Sequence, residues 1–340
     1  MIRFFTLAIA LLIPTLADAC PWQRQYCQPG PVIVYQPCKS QPRSCCWQPQ
    51  RVQMVRIVEV KPIDPPKEVE KPKTVAIIPD PDFSNWATIK GRIVWDKEKY
   101  GEAPKRVPIV ATKDAAVAQK DGDFYTEDWV VNQNNLGIKN VVVWVVPELS
   151  LDAEIAALKK AIEDNKSYKF ASFQPSDIHP ALRTPAVKRV TIDQPCCRYI
   201  PHVLAARAGQ ELLIKNSSPV QHSPKWISRE NGEYGRDLPP VGNLLIENLK
   251  AERTAIVVSC SIHPWMQAYV RVFDHPYFAV TDFNGNFEIK DIPRLKGKVR
   301  MFIWQENGLH RGADGRFGQT VELKLGTTDL KEIKFDTGKK

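Results

Sequence analysis

The sequence lacks the short motifs that mark several large classes of enzyme. It contains no G-x-S-x-G nucleophile elbow, no H-E-x-x-H metalloprotease helix and no glycine-rich phosphate loop. C-x-x-C-H is also absent, which argues against covalently attached haem. The acidic residues are scattered, and no two of them are paired for acid–base chemistry. We therefore expect no catalytic residues and predict that the protein is not an enzyme.

Long apolar runs and dense basic blocks are missing as well. After the N-terminus no apolar run is long enough to span a bilayer, and residues 141–146 have the length of a buried strand. The net charge of +9 is spread along the chain without a nucleic-acid-binding motif. We therefore expect no nucleic-acid partner. Such a basic balance suits an acidic partner protein or an anionic cell envelope.

The N-terminus has the features of an export signal. A basic residue, Arg3, precedes a short apolar run, and Ala17 and Ala19 form a signal-peptidase pattern. Residues 1–19 are therefore predicted to be a signal peptide, and the protein to be periplasmic or associated with the cell envelope. Cys20 follows the expected cleavage point, so a lipid anchor at that residue is an open alternative.

Cysteine is concentrated at the same end of the chain. Five of the eight cysteines lie in the first 46 residues, which favours an oxidising compartment. Residues 20–82 are rich in Cys, Pro and Gln and then in Pro and charge, and we interpret them as a tail and an extended linker. The other three cysteines are the adjacent pair Cys196 and Cys197, and the isolated Cys260.

The rest of the chain is predicted to be mainly β. Residues 83–185 contain strand patterns and one helix over residues 151–162, with Ser150 as its N-cap. From residue 187 onward, short alternating strands are separated by turn signals, which is typical of a β-sandwich. The helix is expected to cover a sheet at the surface.

One loop between two of these strands combines three metal-binding residue types. Cys260, His263 and Met266 have the spacing C-x2-H-x2-M, between the strand TAIVVS and the strand AYVRVF. His222 lies earlier, a few residues past the strand ELLIKN. Two His, one Cys and a weak axial Met are the ligands of blue-copper electron-transfer sites.

This arrangement resembles the cupredoxin family, and the loop is most similar to the short ligand loop of the amicyanin type. The segment Cys260-Ser-Ile-His-Pro-Trp-Met266 carries the resemblance, together with the order of Pro201, Gly209, Asn216 and His222 upstream. It implies a Greek-key β-sandwich over residues 186–274 that binds one type 1 copper ion. His222, Cys260 and His263 would be equatorial ligands and Met266 the axial one. Asn216 would steady the ligand loop, and the Gln221 carbonyl would lie on the opposite axial side.

Residues 275–340 resemble the small sandwiches known as carboxypeptidase-regulatory-like domains, and TIKGRIVW at residues 88–95 resembles the first strand of such a unit. Residues 86–147 and 275–335 are therefore expected to pair into one second sandwich, with the cupredoxin-like part inserted between them.

The cupredoxin resemblance implies a carrier of single electrons with an acidic redox partner. His263 would be a partly exposed exit for the electron, with Pro264 and Trp265 as an apolar rim. Two alternatives stay open. One is a metal-free structural or interaction protein of the envelope, with Cys260 in a disulfide to Cys196 or Cys197; the other is a copper-binding carrier.

The remaining candidates near the site are less specific. Cys196 or Cys197 could instead be an extra copper ligand. His202 is either a neighbour of the site or a packed strand residue. His275 is expected to be structural, and His179 and His310 are expected to be exposed.

Overall fold

The computed structural model describes residues 85–122, 124–164, 171–313, 315, 317–336 and 338. The predicted signal peptide, the candidate lipidation site Cys20 and the Cys-rich tail lie outside the described residues. Across those ranges the protein is mainly β, as the sequence predicts. None of the helices described is long and apolar enough to cross a membrane.

The described part contains three α-helices, two short 3-10 helices (Pro175–Asp177 and Pro180–Leu182) and sixteen strands. The helices are α1 (Lys97–Tyr100), α2 (Ala115–Ala118) and α3 (Leu151–Glu163). The strands are β1 (Trp86–Trp95), β2 (Val142–Pro147), β3 (Arg189–Asp193), β4 (Val203–Arg207), β5 (Glu211–Lys215), β6 (Pro224–Ile227), β7 (Glu233–Gly235), β8 (Asn243–Ile246), β9 (Ile256–Cys260), β10 (Gln267–Phe273), β11 (Phe278–Val280), β12 (Asn286–Pro293), β13 (Lys298–Gln305), β14 (Gly308–Leu309), β15 (Gln319–Glu322) and β16 (Gly326–Phe335).

The first sandwich contains β3 to β10. One sheet has the order β4-β10-β9-β6-β7 and the other the order β3-β5-β8. Side chains alternate along β10, so that Ala268, Val270 and Val272 join a core that also contains Ile192 and Ile214 of the second sheet. These small and β-branched side chains fill the space between the two sheets of the first sandwich.

The second sandwich is built from the chain on both sides of the first. β1 pairs antiparallel with β12 and parallel with β16. β2 pairs with β11 and β13, and β15 pairs with β13 on its other side. Strands before residue 148 and after residue 277 therefore share sheets, and the first sandwich lies between them along the chain.

The two sandwiches pack against each other through β10 and β2. The face of β10 that carries Tyr269 and Phe273 meets a cluster that includes Trp144 and Phe302, whose rings are stacked at 5.2 Å. This contact explains why the β2 sequence VVWVVP lacks a polar face, because it is covered on both sides.

The helix predicted over residues 151–162 is α3. The Ser150 side chain caps it by accepting a hydrogen bond from the amide N–H of Ala153. One first-turn residue, Glu154, is fully buried, and neither of its carboxylate oxygens has a hydrogen-bond partner. Burial raises the pKa of Glu154, and the nearby Glu148 adds to this while Arg300 opposes it.

We expect Glu154→Gln to stabilise the protein at neutral pH by about 1 kcal/mol, because a buried charge without partners becomes a neutral amide. A carboxyl whose pKa is raised in the folded state lowers the free energy of unfolding as pH rises, and its full cost is reached once pH is above that pKa. The gain should therefore be present at pH 7 and disappear near pH 4, where the unfolded chain is protonated too. Denaturant titrations at both pH values measure it, with Asp152→Asn on the exposed face of the same turn as control. An equal gain at both pH values would contradict the assignment.

The expectation that His310 is exposed is wrong. Its ring is 8% exposed, and Nδ1 accepts a hydrogen bond from the amide N–H of Asp336. The ring also packs against Phe335 at the end of β16. His179 is half-buried against Trp86. The prediction failed because the surrounding sequence is polar although the C-terminal strand covers it.

Candidate metal centre

The loop between β9 and β10 holds three of the four predicted ligands. Cys260 is the last residue of β9, and the strand β10 begins directly after Met266. Two backbone bonds close the loop: Met266 N–H donates to the His263 carbonyl at 2.9 Å, and Cys260 N–H donates to the Met266 carbonyl at 3.2 Å. All three ligand side chains are buried, so the tight turn points them into the sandwich.

The fourth predicted ligand, His222, lies between β5 and β6. Its backbone pairs with Leu238 in both directions. Asn216, fully buried, donates from Nδ2 to the carbonyls of Val220, Leu238 and Pro239 at 2.9–3.2 Å. Asn216 therefore links the segment that carries His222 to residues 238–239, which lie beside it. The position expected for the Gln221 carbonyl, on the side of the site opposite Met266, stays a prediction.

The predicted imidazoles and thiol come together. Nδ1 of His222 lies 3.1 Å from Nδ1 of His263, and the Cys260 Sγ lies 3.8 Å from the same His263 nitrogen. The Ser223 backbone N–H points at the Cys260 Sγ at 3.4 Å, and its carbonyl accepts from Ser261 N–H at 2.9 Å. The backbone of Ser223 therefore braces the loop.

A second thiol lies at the same place. Donor atoms of Cys197, His222 and His263 all fall within 4.8 Å of one another. Cys197 and Cys260 are both free thiols, whereas Cys196 is disulfide-bonded. The alternative disulfide at Cys260 is therefore not formed. Burial, with smaller contributions from Asp114 and Cys260, raises the pKa of Cys197 to about 12.

The expectation that His263 is partly exposed is wrong. Its ring is 0% exposed. Nε2 lies 2.9 Å from the Asp114 carboxylate, on the segment just before α2. Ala118 and Phe124 of the same segment join the core of the first sandwich, and the Phe124 ring lies 6.1 Å from that of Trp265. This segment therefore covers the edge of the site that the resemblance left open.

Asp114 orients His263. A carboxylate at this distance can accept a hydrogen bond from Nε2, which turns Nδ1 toward His222 and Cys260. Sequence reasoning missed Asp114, because it lies 149 residues from His263 and no spacing connects the two. Its backbone is unusual, with φ at 51° and no cap made by its side chain, but that becomes visible only in the fold.

The electrostatics of His222 match a metal ligand. Burial, with a contribution from the neighbouring His263, lowers the pKa of His222 to about 4, although Asp114 and the Gln194 backbone oppose the shift. Neutral imidazole is the form that coordinates metals. Its Nε2 is buried without a normal hydrogen bond. The two imidazoles and the Cys197 thiol, whose donor atoms lie close together, are among the soft and borderline ligands that copper prefers, and Cys260 and Met266 are buried in the same core.

His202 is placed beside the centre rather than in it. Its Nδ1 is 3.0 Å from the Gln267 carbonyl and its Nε2 is 2.7 Å from Glu306. Burial by itself would lower the pKa of His202, but the bond to Glu306 and the charge of Glu127 outweigh it, so the pKa is raised. His275 is buried against Phe173 and Tyr277, as expected of a structural residue.

Comparison with known proteins gives partial matches only. No family model and no curated protein matches the chain. Among solved structures, a reduced amicyanin variant is 16% identical, with a TM-score of 0.23, and the match covers 29% of this chain and 90% of amicyanin. A copper-containing nitrite reductase from Thermus scotoductus is 22% identical, with a TM-score of 0.23, over 25% of this chain and 22% of the reductase. Likeness at this level does not by itself establish a function.

Proposed function

We propose that the protein binds one copper ion between the two sandwich sheets and carries single electrons. The observation that carries the proposal is the buried pair of His222 and His263, whose Nδ1 atoms lie 3.1 Å apart, with the Cys260 sulfur 3.8 Å from His263 Nδ1. Bound there, copper would supply a redox couple of one electron. Met266, at the end of the same loop, would be a further, weaker ligand.

The protein residues would contribute rigidity and a fixed orientation of the ligands. Asn216 ties the His222 segment to residues 238–239, and Ser223 N–H donates toward the Cys260 sulfur. Asp114 contacts His263 Nε2 and would hold the ring in place. Ligands held in this way move little when charge changes, and the buried setting excludes water. Both effects favour rapid one-electron exchange.

A redox partner would have to approach another part of the ligand loop. Because His263 is covered, the accessible part is the exposed Pro264 beside the half-buried Trp265. Trp265 donates from Nε1 to the Cys197 carbonyl at 2.9 Å, so it links this surface to the centre. With a net charge of +9 the protein would favour an acidic partner. Export to the periplasm or envelope, with or without a lipid on Cys20, belongs to the same proposal.

The second candidate is a copper carrier without electron transfer. Cys197 favours it, because a second thiol beside Cys260 and the two imidazoles would select Cu(I), and because the covered centre would retain its ion. A reversible one-electron wave on an electrode distinguishes the two candidates. A carrier that holds copper only as Cu(I) would give no reversible wave.

The proposal is tested on the full chain, expressed in an oxidising compartment and loaded with Cu(II). We expect an intense thiolate-to-copper absorption band and narrow copper hyperfine splitting in the electron paramagnetic resonance spectrum. Zn(II) loading is the matched control and should give neither signal. A colourless product with no bound copper, and Cys260 in a disulfide by mass spectrometry, would favour the metal-free envelope protein.

A further inference from the structure

A buried arginine lies between the two sandwiches without a carboxylate partner. Arg271, on the face of β10 that points away from the metal centre, is 5% exposed. Its guanidinium lies over the rings of Trp144 at 4.8 Å and Phe273 at 5.2 Å. Nη1 donates to the Arg253 carbonyl at 2.5 Å, and Nε has no hydrogen-bond partner. No ion pair to Arg271 is found among the described residues.

The acidic groups around Arg271 are engaged elsewhere. Glu252 accepts hydrogen bonds from Arg229 N–H at 2.9 Å and from the Asn231 side chain at 3.1 Å. Asp274 accepts from the Ser172 hydroxyl at 2.7 Å. Burying a cation without a partner is costly, and most proteins avoid it. The aromatic rings offset part of that cost, but an anion at Arg271 would offset more.

Two cavities next to Arg271 offer space for such an anion. A cavity of about 250 Å³ borders Arg271 and is otherwise lined mainly by apolar side chains: Trp144, Leu158, Phe302, Trp304, Leu309 and Phe317. A larger cavity of about 640 Å³ shares Trp144, Arg253, Thr254 and Arg271 with it. Arg253 lines the smaller cavity too but is exposed, so Arg271 is the buried cation there. One buried cation in an aromatic cavity matches a ligand with one anionic group and an apolar body.

We propose that this cavity binds a small amphiphilic carboxylate. The carboxylate would pair with Arg271, and the apolar body would lie among Trp144, Trp304 and Leu158. Arg suits this role, since its planar guanidinium can hold a carboxylate through two parallel hydrogen bonds. The site is separate from the metal centre, because β10 directs Ala268, Val270 and Val272 toward that centre's core and Arg271 away from it.

The test uses octanoate with the metal-free full chain, followed by calorimetry and tryptophan fluorescence, since two lining residues are Trp144 and Trp304. We expect saturable octanoate binding and a fluorescence change. Arg271→Met should weaken octanoate binding at least tenfold and leave the weak binding of octan-1-ol unchanged. The control Lys225→Met removes a cation from an exposed position of β6 and should bind octanoate like the wild type.

Arg271→Lys guards against misfolding, because it keeps the charge and loses only the planar geometry. It should bind octanoate more weakly than the wild type and more tightly than Arg271→Met. Absence of saturable octanoate binding to the wild type would overturn the proposal. So would equal binding by Arg271→Met, or octan-1-ol binding as tight as octanoate binding. None of these results depends on copper, so the outcome does not bear on the proposed redox function.

Discussion

Cys260→Ser is expected to abolish the thiolate-to-copper absorption band. We also expect it to weaken copper binding by well over 100-fold, because removing a residue that only supports a metal ligand already costs about 10–100-fold in affinity. Cys260 is buried, and its sulfur lies 3.8 Å from His263 Nδ1 and receives the Ser223 N–H at 3.4 Å. Serine keeps the shape of the side chain, but its hydroxyl is a poor ligand for copper in either oxidation state.

The matched control for that variant is Cys197→Ser. Both thiols are buried and free, so the two substitutions should lower the stability of the core by a similar amount. Cys197→Ser should keep the absorption band, since His222, Cys260 and His263 remain, and should lower affinity for Cu(I) more than for Cu(II). Absorption spectra and competition with a Cu(I) chelator measure both effects. The ligand assignment fails if the band survives in Cys260→Ser and is lost in Cys197→Ser.

The local part of the centre could be predicted from the sequence. Cys260, His263 and Met266 lie in one loop between two alternating strands, and strand–loop–strand geometry brings such residues to one end of a sheet. Helix α3 was predictable for the same reason, because its cap and its first turn are contiguous. These features depend on periodicity and short spacing, which a sequence displays directly.

The long-range part could not be predicted. Asp114 reaches His263 only because the segment before α2 folds back over the first sandwich, and no pattern near Asp114 encodes that path. Choosing between Cys196 and Cys197 needed the backbone as well: Cys197 adopts φ of 49°, and its donor atom lies within 4.8 Å of those of the two imidazoles. The buried His263 follows from the same covering segment, which the cupredoxin resemblance does not include.

Asp114→Ala is expected to weaken copper retention by about 10–100-fold, the usual cost of removing the group that orients a metal-bound imidazole. Loss of the carboxylate frees the Nε2 proton of His263, so the ring can adopt the tautomer that blocks coordination through Nδ1. It also removes a side chain that lies against the Nε2 edge of this ring, beside Trp265, whose ring centroid is 5.3 Å away. Copper should therefore leave faster as well as bind more weakly.

Asp114→Asn separates the two effects. The amide oxygen can still accept from His263 Nε2 and still covers the ring, but it carries no charge, so the imidazole becomes less basic. We expect Asp114→Asn to shift the copper reduction potential while copper dissociates into a chelator at nearly the wild-type rate. Asp237→Asn is the control, because Asp237 contacts the exposed side chain of Gln221 at 2.8 Å, next to His222 but not on it.

Nitrogen-15 spectra of the metal-free protein give a readout that does not require copper. The wild type should show His263 protonated at Nε2, and Asp114→Ala should show a mixture of tautomers. If both proteins show the same tautomer and release copper at the same rate, another group holds His263. If the tautomers differ but neither protein binds copper, Asp114 orients His263 in a site made for another metal. These measurements on Asp114 therefore show whether its carboxylate orients His263 and slows the release of copper from the centre.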